Sequence, residues 1–156
     1  MVRNLATYLH DHLAGANMAV DLIQTLLENQ ANEEVRNFLN GLLLDVVEDR
    51  EALQKIASKM GYGASLVKDS AAHLAAKAVG LKLGAGRDEF GLFESFEFLA
   101  LGILGKLHLW KALGQVETLG TMAGSISFDR LIVRAEAQYS AVERHRLANA
   151  SKALRT

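Results

Sequence analysis

The feature that most constrains the fold is a set of four long segments in which apolar residues recur at spacings of three and four. Such spacing places apolar side chains on one face of a helix. The 156 residues include no proline, so the strongest helix breaker is missing. We therefore expect a single all-α domain over residues 1–156, since this length can enclose one sizeable core.

Capping residues and glycines predict where the helices begin and end. Asn32 and Ser127 are favourable residues before a helix, and Gly61 and Gly114 are favourable after one. The predicted helices are Asn4 to Glu28, Asn32 to Met60, Asp88 to Leu113 and Ser127 to Lys152. The connection between the second and third helices, residues 61–87, is long and should contain a shorter helix between Ser65 and Gly80. Such a connection can traverse a bundle and leave the two helices it joins parallel.

This order of elements resembles the ferritin-like superfamily, a four-helix bundle with a long helical crossover between helices 2 and 3. The resemblance implies a metal centre held by two Glu-x-x-His pairs. No histidine of this chain follows a glutamate at that spacing. The residues three places before the histidines are Thr7, Leu9, Ser70, Gly105 and Val142. We therefore expect a non-catalytic ferritin-like protein with a degenerate metal site. The alternative is a metal-dependent oxidoreductase or iron-binding protein with non-standard ligands in the bundle core.

Polar residues that interrupt the apolar faces are the candidates for a site. His12 and Asp49 are each the polar member of an apolar stripe, and an antiparallel first hairpin brings them to a similar level. We predict that the imidazole donates to the carboxylate, directly or through one water molecule. If helices 2 and 3 are parallel, Lys106 lies beside Asp49. The fourth helix brings residues 134–138 towards the same layer.

Two interpretations of this layer remain open. It is either a residual metal or ligand site, or an ion-pair network that fixes the helix register. We favour the network, because buried charges are usually paired and a lysine opposes cation binding. The candidate residues for a buried polar or ligand site are His12, Asp49, Glu94, Glu97, Lys106 and His108. Of these, Glu94 is expected to pair with Arg146 and Glu97 with another nearby donor.

Composition argues against several classes of partner. With 17 basic and 18 acidic residues the net charge is -1, which gives no strong field to attract nucleic acid. The most apolar stretch has only eight residues between Glu97 and Lys106, too few to span a membrane. The absence of cysteine excludes thiolate metal sites and a cysteine nucleophile. We expect a cytoplasmic protein, and the sequence identifies no catalytic residue, substrate or cofactor.

The third helix predicts a homodimer. Apolar side chains surround more of this helix than one core needs, and apolar surface of that extent commonly marks an interface. Its aromatic residues are Phe90, Phe93, Phe96, Phe98 and Trp110. The competing explanation is that the connecting helix covers the outer face.

Overall fold

The chain folds into helices throughout the part that the computed structural model describes, residues 2–62, 84–122 and 124–155, with no strand in those ranges. The helices are α1 (Val2–Asn29), α2 (Glu33–Lys59), α3 (Glu89–Leu113), α4 (Glu117–Met122) and α5 (Phe128–Ala153). The all-α prediction is confirmed. The predicted fourth helix is α5, and α4 lies between the third and fourth predicted helices, where the sequence predicts no helix.

The helix ends follow from local chemistry. The side chains of Asn32, Asp88 and Ser127 each accept a hydrogen bond from the backbone N–H three residues later. These bonds satisfy N–H groups that have no partner inside a helix. After α2, Gly61 adopts a φ of 80°, which is open to glycine and ends the helix.

The long helices form two pairs, α1 with α2 and α3 with α5, and α1 also packs against α3. Both pairs are antiparallel, because contacts join residues 27 and 17 of α1 to residues 36 and 50 of α2, and residues 97 and 111 of α3 to residues 146 and 136 of α5. At the end of α1, the Asn29 side-chain amide donates to the Ala85 carbonyl over 2.8 Å. This bond places the start of α3 at the end of the bundle where α2 also starts, so α2 and α3 are parallel. Residues 63–83, where the helical crossover was predicted, lie outside the described residues, and the crossover remains a prediction.

The buried apolar residues divide into two clusters along the bundle. The first apolar cluster includes Ile23, Val46, Ile103 and Val142. The second apolar cluster includes Leu13, Leu53, Leu107 and Ala135. Between them, α2, α3 and α5 each carry a polar residue on the inward stripe. These residues are Asp49, Lys106 and Gln138, and together with Arg134 they are called the polar layer below.

Helix α3 is apolar around most of its circumference, and the chain itself covers much of it. Phe96 and Trp110 are almost fully buried, Phe93 is 8% exposed, and Phe98 is half-buried. Phe90 and Leu101 remain 48% and 64% exposed. No helix among the described residues has the length and apolar character needed to cross a membrane.

A buried ion-pair layer as the candidate functional site

The centre of the candidate site is the carboxylate of Asp49, which is only 2% exposed. Its Oδ2 lies 2.5 Å from Nζ of Lys106, and its Oδ1 lies 2.5 Å from a terminal guanidinium nitrogen of Arg134. A buried carboxylate is stable only when it is paired and hydrogen-bonded. Two cations from two different helices meet that requirement here.

Gln138 closes the hydrogen-bond network inside the bundle. Its Nε2 donates to Oδ2 of Asp49 over 3.1 Å, while its Oε1 accepts a short hydrogen bond from Lys106. Each member of this ring of three therefore contacts the other two. Towards solvent, Arg134 also pairs with Glu48 over 2.9 Å, and the Glu48 side chain is 67% exposed. Side chains from α2, α3 and α5 thus form one connected network.

The buried position perturbs the Lys106 amine. Burial lowers the pKa of Lys106 from its ordinary value, and the nearby Asp49 carboxylate opposes that shift. The polar layer therefore balances the desolvation of charges against their mutual attraction. The sequence-based prediction that Lys106 lies beside Asp49 and points into the bundle is confirmed, and so is the approach of residues 134–138.

The predicted hydrogen bond between His12 and Asp49 is wrong in its direct form. Among the described residues, none of the hydrogen bonds to Asp49 comes from His12, whose ring instead meets Tyr8 edge-on with centroids 4.7 Å apart. Charged donors bind a carboxylate more strongly than a neutral imidazole does. Burial lowers the pKa of His12, with Asp11 opposing the shift, so the neutral form of this imidazole is favoured.

His12 and Asp49 nevertheless line the same cavity, of about 240 Å³, between α1, α2 and α3. Its lining is largely apolar, and Lys106 also borders it. The cavity lies on the side of the polar layer that faces α1. The α1 residues that line it include the small residues Gly15, Ala16 and Ala19 as well as His12 and Met18. Side chains of α2, α3 and α5 therefore form the polar layer, and the cavity separates this layer from α1.

The other predicted site residues do not join this layer. Arg146 binds Glu97 over 3.0 Å and Glu143 over 2.7 Å, so the predicted pairing of Glu94 with Arg146 is wrong. Glu94 and His108 are exposed. Glu97 lies three residues after Glu94 on α3, so the error amounts to about one helical turn.

The sequence interpretation gave no functional weight to several residues with distinctive surroundings. The His145 ring stacks on Phe38 at 3.9 Å between centroids and on Phe96 at 5.6 Å. Burial lowers the pKa of His145. Arg50 and Trp110 border the cavity, and each has a buried nitrogen without a hydrogen-bond partner in the described structure. Helical spacing indicates that His145 faces inward, but it cannot show which rings lie beside it.

The described residues contain no group of three or more histidine and acidic side chains placed to hold a metal ion. Asp49 is the one predicted ligand candidate that is deeply buried, and cations of the protein bind both of its oxygens. Comparisons with models of protein families, with curated proteins and with solved structures found no match to this chain.

Proposed function

We propose that this chain is a non-catalytic ferritin-like protein with a degenerate metal site, which acts by binding or association. The helix arrangement supports the ferritin-like part of the proposal. Two antiparallel pairs are present, α2 and α3 are parallel, and α1 lies beside both α2 and α3. This is the order expected of a bundle with a crossover between its second and third long helices.

The observation that carries the proposal is the pairing of Asp49 with both Lys106 and Arg134. A metal centre in a helical bundle needs inward carboxylates whose oxygens are free to bind the ion. Here an ammonium and a guanidinium bind the two oxygens. The amine also places a positive charge within 2.5 Å of Oδ2, where it would repel a metal ion.

The alternative is a metal-dependent oxidoreductase or iron-binding protein that draws non-standard ligands from the candidate residues. Glu94 and His108 are exposed, and Glu97 is engaged by Arg146. These three candidate ligands therefore do not meet at one metal site inside the bundle, as the alternative would require. Metal analysis of the protein, purified without a histidine tag, tests the two functions directly. We expect substoichiometric iron, manganese and zinc, and a stoichiometric content of any of them would favour the alternative.

A metal titration of variants tests the role assigned to the amine. Lys106→Met removes one of the two cations from Asp49 and keeps a side chain of similar length. We expect no tight binding of Mn²⁺, Zn²⁺ or Fe²⁺ by the wild type and weak binding by this variant. Lys111→Met is the matched control, because Lys111 lies on the same helix with its side chain 52% exposed. Tight binding by the wild type, or equal gains in both variants, would contradict the proposal.

A further inference from the structure

The cavity beside the polar layer is bordered by three helical glycines, Gly15, Gly102 and Gly105. None of them has a positive φ, and a Cβ added at any of them would meet no atom within 4 Å. Backbone conformation and close packing therefore do not require glycine at these positions. A glycine inside a helix lowers its stability relative to alanine. What the three share is the open volume between α1 and α3.

The volume and the apolar lining of the cavity indicate the size and character of the apolar part of a ligand that would fit. Leu53, Phe98 and Leu99 are among its apolar lining residues. An apolar cavity of about 150 Å³ holds a molecule of benzene size, with six non-hydrogen atoms. In proportion, the 240 Å³ found here accommodates roughly ten non-hydrogen atoms. A hydrocarbon chain or a small ring system of that size would replace water against apolar walls.

The polar side of the cavity defines the end group of that molecule. Lys106 has three N–H donors and uses two of them on Asp49 and Gln138, which leaves one for a ligand. In the buried part of the layer, Lys106 and Arg134 stand against the single carboxylate of Asp49. The balancing Glu48 is largely exposed, so water screens its charge. Asp45 also acts on Lys106, but less than Asp49 does.

Arg50 adds a second cation at the border of the cavity. One terminal nitrogen of its guanidinium donates to the Asn17 side chain over 3.2 Å, and no carboxylate among the described residues forms an ion pair with it. A guanidinium has five N–H donors, so most of its hydrogen-bonding capacity remains available. Asp11 also lines the cavity, but its side chain is 71% exposed, so water screens its charge more than that of the buried amine. An acceptor with negative charge therefore complements the Lys106 side of the cavity better than a cation would.

We propose that the cavity binds a small apolar carboxylic acid, with its hydrocarbon between α1 and α3 and its carboxylate beside Lys106. This inference rests on the proposed function, because a metal ion held by Asp49 would compete for the same space. It extends that function by naming the chemical class of the ligand. Medium-chain fatty acids and aryl-alkanoic acids of about ten non-hydrogen atoms belong to this class.

Calorimetric titration of the full chain with three eight-carbon probes tests the class of ligand. Octanoate carries the proposed end group, 1-octanol keeps the same hydrocarbon without charge, and octylamine reverses the charge. We expect saturable one-to-one binding of octanoate with a dissociation constant below about 1 mM. Octanol should bind about tenfold more weakly or worse, since it lacks the charge-assisted hydrogen bond, and octylamine should not bind measurably.

Variants locate the binding to the cavity. Gly102→Leu and Gly105→Leu place a side chain in the open volume and should each abolish binding of octanoate and octanol alike. Gly41→Leu is the matched control, because Gly41 is also helical with no atom near its Cβ direction but does not border the cavity. Lys106→Met should remove the preference for octanoate over octanol while octanol still binds. Circular dichroism identifies any variant that fails to fold. If one of the three cavity variants does so, binding by the other two decides whether octanoate occupies the cavity.

Specific outcomes would overturn the inference. They are absence of octanoate binding by the folded wild type, equal binding of the acid and the amine, and full binding by both glycine variants. Metal analysis decides the proposed function separately. If the protein contains no stoichiometric metal and does not bind octanoate, only the cavity inference is rejected. If it contains stoichiometric metal, the proposed function itself is rejected.

Discussion

Removal of the Asp49 carboxylate is the most informative perturbation of this bundle. In Asp49→Ala, the Lys106 ammonium loses its carboxylate while its side chain is only 15% exposed. Gln138 loses an acceptor, and Arg134 keeps only its pairing with Glu48. Removal of one partner from a buried ion pair typically costs 3–5 kcal/mol, because the other charge stays desolvated. Domains of this kind are stable by about 5–15 kcal/mol, so this loss would be severe.

The assay is urea unfolding followed by circular dichroism at pH 7. Glu48→Ala is the matched control, because it removes the neighbouring carboxylate on α2 that pairs with the same Arg134. Glu48 is 67% exposed, and exposed ion pairs contribute only about 0–1 kcal/mol. We expect the Asp49 variant to lose about 3–5 kcal/mol. A loss below about 1 kcal/mol, or equal losses in the two variants, would refute the claim that this carboxylate compensates buried charge.

Three further perturbations test other parts of the structure. Gly91→Ala should destabilise the fold by roughly 1–3 kcal/mol, because its Cβ would lie 1.9 Å from the Gly84 carbonyl oxygen; an unchanged urea midpoint would contradict this close approach. Stability should fall as the pH drops below about 6.5, because burial lowers the pKa of both His145 and His12 and the unfolded chain binds these protons first. In the His145→Gln variant, the urea midpoint should depend less on pH between 7.5 and 5 than it does in the wild type. An identical pH dependence in the two proteins would contradict a contribution from His145. Sedimentation should show the homodimer predicted from α3. We expect Leu101→Glu on α3 to dissociate the dimer and Leu44→Glu on α2 to leave it intact, although both leucines are exposed. A 17.0 kDa monomer in the wild type would reject the predicted dimer.

The polar layer could be predicted from the sequence because it depends on spacing alone. Asp49 interrupts an apolar stripe on α2, and Gln138 lies on the inward stripe of α5. Given parallel α2 and α3 of similar length, the residue that faces Asp49 follows from counting from the two helix starts. The first residues of α2 and α3, Glu33 and Glu89, are 56 residues apart, in agreement with the contact between Asp49 and Lys106, which are 57 residues apart.

The choice of partners could not be predicted in the same way. His12, Lys106 and Arg134 were all placed near Asp49, and the distances between side chains decide which of them bind it. Two charged donors reach its oxygens, and His12 lines the same cavity without binding the carboxylate directly. The pairing of Arg146 with Glu97 rather than Glu94 depends on the position of α5 along α3 to within one helical turn. The spacing of residues within one helix does not indicate which donors bind Asp49 or which glutamate binds Arg146.

The polar layer also restricts how the two helix pairs can fit together. A buried polar group on an otherwise apolar stripe can specify the register of neighbouring helices. A displacement by one turn would set Asp49 against residues of the apolar clusters, such as Ile103, and leave its charge unpaired. We expect the unpaired buried carboxylate to make that register less stable than the observed one. The same arrangement turns the polar side chains of α2, α3 and α5 towards one another and leaves α1 facing the cavity. The polar layer therefore lies directly beside the open volume in which we propose that a ligand binds.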